Sequence, residues 1–153
     1  MGIKIDDWES YIKDKVHYFY HEAGINCAVG TLMLLSDIFG VELNEQVYDS
    51  AMAMHGAGKY GAQCGILEGG IMFVSIYSKQ QGLSKKEITP MVYSWAALFE
   101  KKMGSLVCKG LRPYPFTAED APKHLCEPVT VKGITLAVQL IVGLVEPSFP
   151  ETT

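Results

Sequence analysis

The sequence predicts an all-α protein, a single-domain helical bundle of about six or seven helices over residues 1–153. Three observations carry this. Apolar residues recur at three- and four-residue intervals along most of the chain, no alternating strand pattern of useful length appears, and glycines or prolines punctuate it at helix-length intervals. At 153 residues and 48% hydrophobic, the chain is long and apolar enough to bury roughly 70% of its unfolded surface without disulfide or metal staples.

Trp8, Tyr11, Ile12, Val16 and Phe19 form the first stripe, behind the acidic turn Asp6, Asp7 and Glu9. Gly24 terminates it, and Asn26 caps a second helix ending at Gly40. The apolar residues of that helix, from Ala28 to Phe39, lie all round its surface, which predicts burial. Asn44 opens a third helix through Met54, followed by a glycine-rich run over 55–63. From Cys64 to about Gln81 the apolar residues again cover nearly every side, the pattern of a central helix.

Ser84-Lys85-Lys86-Glu87 is a capping box for a fifth helix, whose stripe runs from Ile88 to Phe99 and which Gly104 closes. Pro90 falls near its start. Arg112 to Phe116 reads as loop, Thr117 as the cap of a short helix ending near Cys126, and Glu127-Pro128 as a break. A last helix runs to Val145, although Pro128 to Leu136 is rich enough in β-branched residues to read as strand too.

Charge and composition exclude several functions. The net charge of −4, with no run of Lys or Arg, disfavours nucleic-acid binding. The start, Met1 to Trp8, lacks a secretory pattern, and the apolar stretch 133–145 falls short of the ~20 residues a bilayer crossing needs. No membrane association and a cytoplasmic location are expected. In that reducing compartment cysteines stay largely as thiols.

The four cysteines, Cys27, Cys64, Cys108 and Cys126, are spaced by 37, 44 and 18 residues, with no Cys-x-x-Cys pair. Zinc-ribbon and ferredoxin patterns therefore fail. Cys27 follows the cap Asn26, and Cys64 opens the central helix. Amides at a helix start favour thiolate over thiol, which makes Cys64 the first candidate nucleophile and Cys27 the second. Gly65 and Gly69 after Cys64 either admit a close neighbour to the sulfur or form a helix-packing groove. The competing reading of any one cysteine is a small buried hydrophobe.

Three segments carry a resemblance: Glu22-Ala23-Gly24-Ile25-Asn26-Cys27-Ala28, the glycine run 56–63 leading into Cys64-Gly65-Ile66-Leu67-Glu68-Gly69, and Met103-Gly104-Ser105-Leu106-Val107-Cys108, with Cys126 last. In order and context they resemble the C_GCAxxG_C_C family from about Tyr18 to Cys126. Ile66 stands where the family has alanine, and Glu68 where a small or neutral residue is commoner. The resemblance implies a helical protein with a cysteine-based redox centre.

Two redox mechanisms fit the residues. In one, a thiolate attacks a disulfide or oxidant, small or carried by a redox partner protein, and a neighbouring cysteine resolves the intermediate. Glu68, one turn from Cys64, would raise that thiol's pKa or exchange protons if buried. In the other, four thiolates ligate an iron–sulfur cluster or another soft metal. A third reading is a non-redox helical scaffold or ligand-binding module, with an apolar face for a homodimer.

Gly56 to Gly61 matches G-x-G-x-x-G, but a dinucleotide loop needs a preceding strand and this one follows a helix. Its amides, with Lys59, could still cradle an anion. His55 beside it is the histidine placed to support the cysteine site. His17 and His21 share a helix face at i, i+4 but lack a third ligand nearby in sequence, and they read as a surface pair. Tyr18, Tyr20 and Tyr60 are candidates to shield the cysteines from water.

Overall fold

The computed structural model describes residues 2–112 and 123–150. Among them the chain forms eight α-helices and no strand. α1 (Trp8–Tyr18) continues directly into a π-helical turn, Phe19–Ala23. α2 (Cys27–Phe39), α3 (Glu45–Ser50), α4 (Gly56–Lys59) and α5 (Gly65–Gln80) follow. α6 (Lys85–Met103), α7 (Cys108–Leu111), a 3-10 turn (Lys123–Cys126) and α8 (Glu127–Ile141) complete the order. The helices beyond the expected six or seven are the single turns α4 and α7. Thr117 lies outside the described residues.

Several boundaries follow from local chemistry. Asp7 accepts the Ser10 N–H at the start of α1. The Asn26 side chain accepts the Val29 N–H at 2.9 Å, capping α2 as predicted. The Glu87 carboxylate accepts from both the backbone N–H and the hydroxyl of Ser84, at 2.8 and 2.7 Å. α3 stops at Ser50, short of the expected Met54, and tight turns follow. Glu127-Pro128 does not break the chain. It opens α8, because a proline in the first turn sacrifices an amide that has no helical partner anyway. The β-branched residues after it are helical, held by burial of Thr130, Ile134 and Val138.

α5 is the axis, contacting α2, α6 and α8, while α1 packs on α8 and α2. Three close approaches set this packing. Gly69 of α5 lies against the Ala28 carbonyl and Thr31 of α2. Gly70 lies against Trp95 of α6, whose indole N–H donates to the Leu67 carbonyl at 3.1 Å. Gly133 of α8 faces Ile66, and a β-carbon there would stand 2.7 Å from its Cγ2. Phe39, Phe73 and Tyr77 close the far end of the α2–α5 contact with ring centroids 5.5–5.8 Å apart. Among the described residues no helix is long and apolar enough to cross a membrane.

Candidate functional site

All four cysteines stand at helix starts. Cys27 is the first residue of α2 and Cys108 the first of α7, while Cys64 and Cys126 are the caps preceding α5 and α8. None is in a disulfide. Cys64 is buried and the other three are half-buried.

Backbone pairing holds these starts in place. The Cys64 N–H donates to the Leu106 carbonyl at 2.9 Å, and the Cys108 N–H donates to the Ala62 carbonyl at 2.7 Å. The two bonds flank an antiparallel bridge between Gln63 and Val107, which ties the approach to α5 to the approach to α7. Asn26, beside Cys27, donates its side-chain amide to the Met52 carbonyl at 2.6 Å. Thr31 and Thr130 each donate a hydroxyl hydrogen bond back one turn, to the Cys27 carbonyl at 2.7 Å and the Cys126 carbonyl at 2.9 Å.

The glycine-rich run reaches this region through left-handed backbone. Gly56, Ala57, Gly58 and Lys59 have φ of 62, 54, 64 and 69°, so α4 is a left-handed turn in which Ala57 and Lys59 each carry about 1–2 kcal/mol of strain. What precedes it is α3 and a run of turns rather than a strand, which agrees with rejecting a dinucleotide loop. His55, half-buried, stands at its head.

Gly65 and Gly69 perform both tasks that sequence left open. A β-carbon on Gly65 would lie 2.5 Å from the Cys27 sulfur and 3.0 Å from the Met54 carbonyl, so its absence admits the sulfur. Gly69 instead admits the α2 backbone.

Burial raises all four thiols, and their charges act on one another. Burial is the main cause at Cys27, followed by Cys64, Cys108 and Cys126, with only the Ala28 amide opposing. At Cys64 the Ile66 and Leu67 amides oppose burial, while Cys126 and Glu68 add to it. Burial, then Cys64 and Cys126, push Cys108 up to about 11 against the pull of Arg112. At Cys126 burial is opposed by Arg112. The charges of the four thiols thus act on one another, while no two of the cysteines lie at disulfide distance.

This corrects the expectation of low-pKa thiols at Cys64 and Cys27. The amide donors are present, but desolvation outweighs them. Glu68 acts in the expected direction.

Two contributions were missed or only half seen. The sequence marks Arg112 only as loop, yet it lies one turn beyond Cys108 and its charge favours the thiolates of Cys108 and Cys126; the i+4 spacing is the available signal. Tyr20 bonds Thr130 at 2.8 Å. Because the single Thr130 proton goes to the Cys126 carbonyl, Tyr20 donates. Its phenol is pushed far up by burial and by the charges of Cys27, Cys126 and Cys64. Tyr18 and Tyr60 are exposed.

A family model described as "Putative redox-active protein (C_GCAxxG_C_C)" matches residues 25–140. The chain belongs to that family. The match to the C_GCAxxG_C_C family starts at Ile25, later than the sequence resemblance, and continues past Cys126 to Leu140, within the helix that Cys126 caps. No curated relative and no solved structure matches the chain.

Proposed function

We propose that the protein is a cytoplasmic thiol redox protein in which Cys27, Cys64, Cys108 and Cys126 work as one unit on a disulfide or small oxidant, free or carried by a partner protein. The observation that supports this reading is the packing of the Cys27 sulfur on Gly65, beside Cys64, with the backbone bonds that tie the Cys64 and Cys108 starts together, in a chain whose family is named for its cysteines. Cys126 is the first thiol to react, being half-buried and influenced by Arg112. Its thiolate attacks one sulfur of an external disulfide, forming a mixed disulfide and releasing one thiolate, which takes up a proton. A shift of backbone then brings Cys64 to disulfide distance, where it gives up its proton and attacks the Cys126 sulfur, closing a protein disulfide and releasing the second external thiol. Two protein thiols are oxidised and one external disulfide is reduced to two thiols.

One observation favours a second reading. Four buried thiols that raise one another's pKa are the groups an iron–sulfur cluster or another thiolate-bound metal would hold, since a cation relieves the repulsion between thiolates. Anaerobic purification with iron, acid-labile sulfide and thiol assays separates the two. The dithiol reading expects four titratable thiols without iron or sulfide. Stoichiometric iron and sulfide with a visible charge-transfer band would replace it by the cluster. A non-redox helical scaffold would be indicated if Cys126→Ser and Cys64→Ser both left thiol oxidation and assembly unchanged.

A further inference from the structure

We propose that His17, His21 and Glu127 form a site for a divalent transition-metal ion of the zinc class on the outer face of the α1–α8 contact. His17 Nδ1 lies 2.8 Å from Glu127 Oε1, and His21 Nε2 lies 2.9 Å from Oε2, so one carboxylate is shared by two imidazoles through different oxygens. The rings stack with centroids 4.1 Å apart. One ligand atom from each of the three residues lies within 4.8 Å of the others.

The arrangement is assembled from two elements. His17 lies in the last turn of α1 and His21 belongs to the π turn, while Glu127 opens α8, which packs on α1. Two histidines one turn apart supply the i, i+4 pair that metal sites use. The third ligand missing from the local sequence arrives from 106 residues away.

Chemistry selects the ion. Two imidazole nitrogens and one carboxylate oxygen are borderline ligands suited to zinc, and three protein ligands leave a fourth position for water. The side chains of His17, His21 and Glu127 are 64, 37 and 22% exposed, so that position opens to solvent. Tetrahedral bonds of about 2.0–2.1 Å place ligand atoms about 3.3 Å apart. The three ligand atoms now lie within 4.8 Å of one another, so an ion that takes one carboxylate oxygen draws both imidazoles onto that oxygen by rotation of exposed side chains.

The consequence is a clamp. Glu127 directly follows Cys126, and Tyr20, beside His21, reaches Thr130 one turn into α8. A bound ion fixes the π turn to the start of α8 and with it the backbone that carries Cys126. The site stands on its own geometry, whichever chemistry the cysteines perform.

The test is a titration of the reduced full-length protein with zinc under anaerobic conditions, followed calorimetrically, beside His17→Gln/His21→Gln. The double variant is expected to bind one zinc fewer per chain, with the number of zinc-protected thiols unchanged. Equal stoichiometry in the two proteins overturns the site. If the double variant lacks the wild-type helical circular dichroism, Glu127→Gln decides: it keeps the carboxamide shape but loses the anionic ligand. Zinc binding at this position weakened tenfold or more supports the site, and unchanged binding overturns it.

Discussion

The Cys27 sulfur occupies the space where a side chain on Gly65 would begin, 2.5 Å from the ideal β-carbon position. One missing methyl thus lets the start of α2 press on the start of α5, with the Cys27 sulfur over the residue that follows Cys64. The neighbouring constraints, the Met54 carbonyl at 3.0 Å and the Ala28 amide at 3.2 Å, are backbone and cannot rotate aside.

Gly65→Ala therefore costs about 1–3 kcal/mol by overpacking, against which the better helix propensity of alanine returns less than about 1 kcal/mol. The expected outcome is a melting temperature lower by a few degrees, with faster alkylation of Cys27 as its packing opens. Thermal melts and peptide-mapped alkylation check both. An unchanged melt with unchanged Cys27 reactivity would mean that the contact is slack.

Replacing a strained residue acts in the opposite direction. Ala57 and Lys59 hold φ of 54 and 69°, a conformation glycine adopts without the β-carbon penalty. Ala57→Gly and Lys59→Gly are each expected to raise stability by about 0.5–1 kcal/mol after the entropic cost of glycine. Chemical denaturation midpoints measure it.

The capping of α2, its burial, the capping box of α6 and the central place of α5 were all legible in sequence, because each rests on residues within a turn or two of one another. So was the placing of Cys27 and Cys64 at helix starts; Cys126, expected near the end of a short helix, also caps α8, and Cys108 opens the single turn α7. The electrostatics of those cysteines were not. Whether the Ile66 and Leu67 amides win against desolvation at Cys64 depends on how deeply the fold buries the sulfur, which no local stretch of sequence records. Pro128 was misread for a related reason: a proline ends one helix or begins another, and local sequence did not choose. Glu127, which completes the His17–His21 pair, belongs to the same blind spot.

The raised thiols make stability depend on alkaline pH. Cys108 titrates near 9.0 when unfolded and at about 11 when folded. Below pH 9 both states keep the proton; between 9 and 11 only the folded state does, so its stability falls as pH rises through that window. Denaturation midpoints in the reduced protein should decline from pH 9 to pH 11, less steeply in Cys108→Ser. Parallel slopes would show that Cys108 is not the titrating group.

Arg112→Gln removes the cation that favours the Cys108 and Cys126 thiolates. At fixed pH near 8, iodoacetamide should then modify these two cysteines several-fold more slowly, with Cys27 unaffected. Uniform slowing of all four thiols would point instead to a general change in packing.

Tyr20→Phe leaves Thr130 still bonded to the Cys126 carbonyl but without its 2.8 Å partner. The expected cost is about 0.5–1.5 kcal/mol, read as a lower melting temperature. No loss would mean that water replaces the phenol.

The most direct test of the cysteines as one unit is a redox titration of the folded protein in glutathione buffers, with thiols trapped by acid and mapped by mass spectrometry. The account predicts an intramolecular disulfide among Cys27, Cys64, Cys108 and Cys126, forming in a two-electron step while the helical circular dichroism persists. Four thiols that stay reduced until the helices melt, or that each take up glutathione independently, would contradict it.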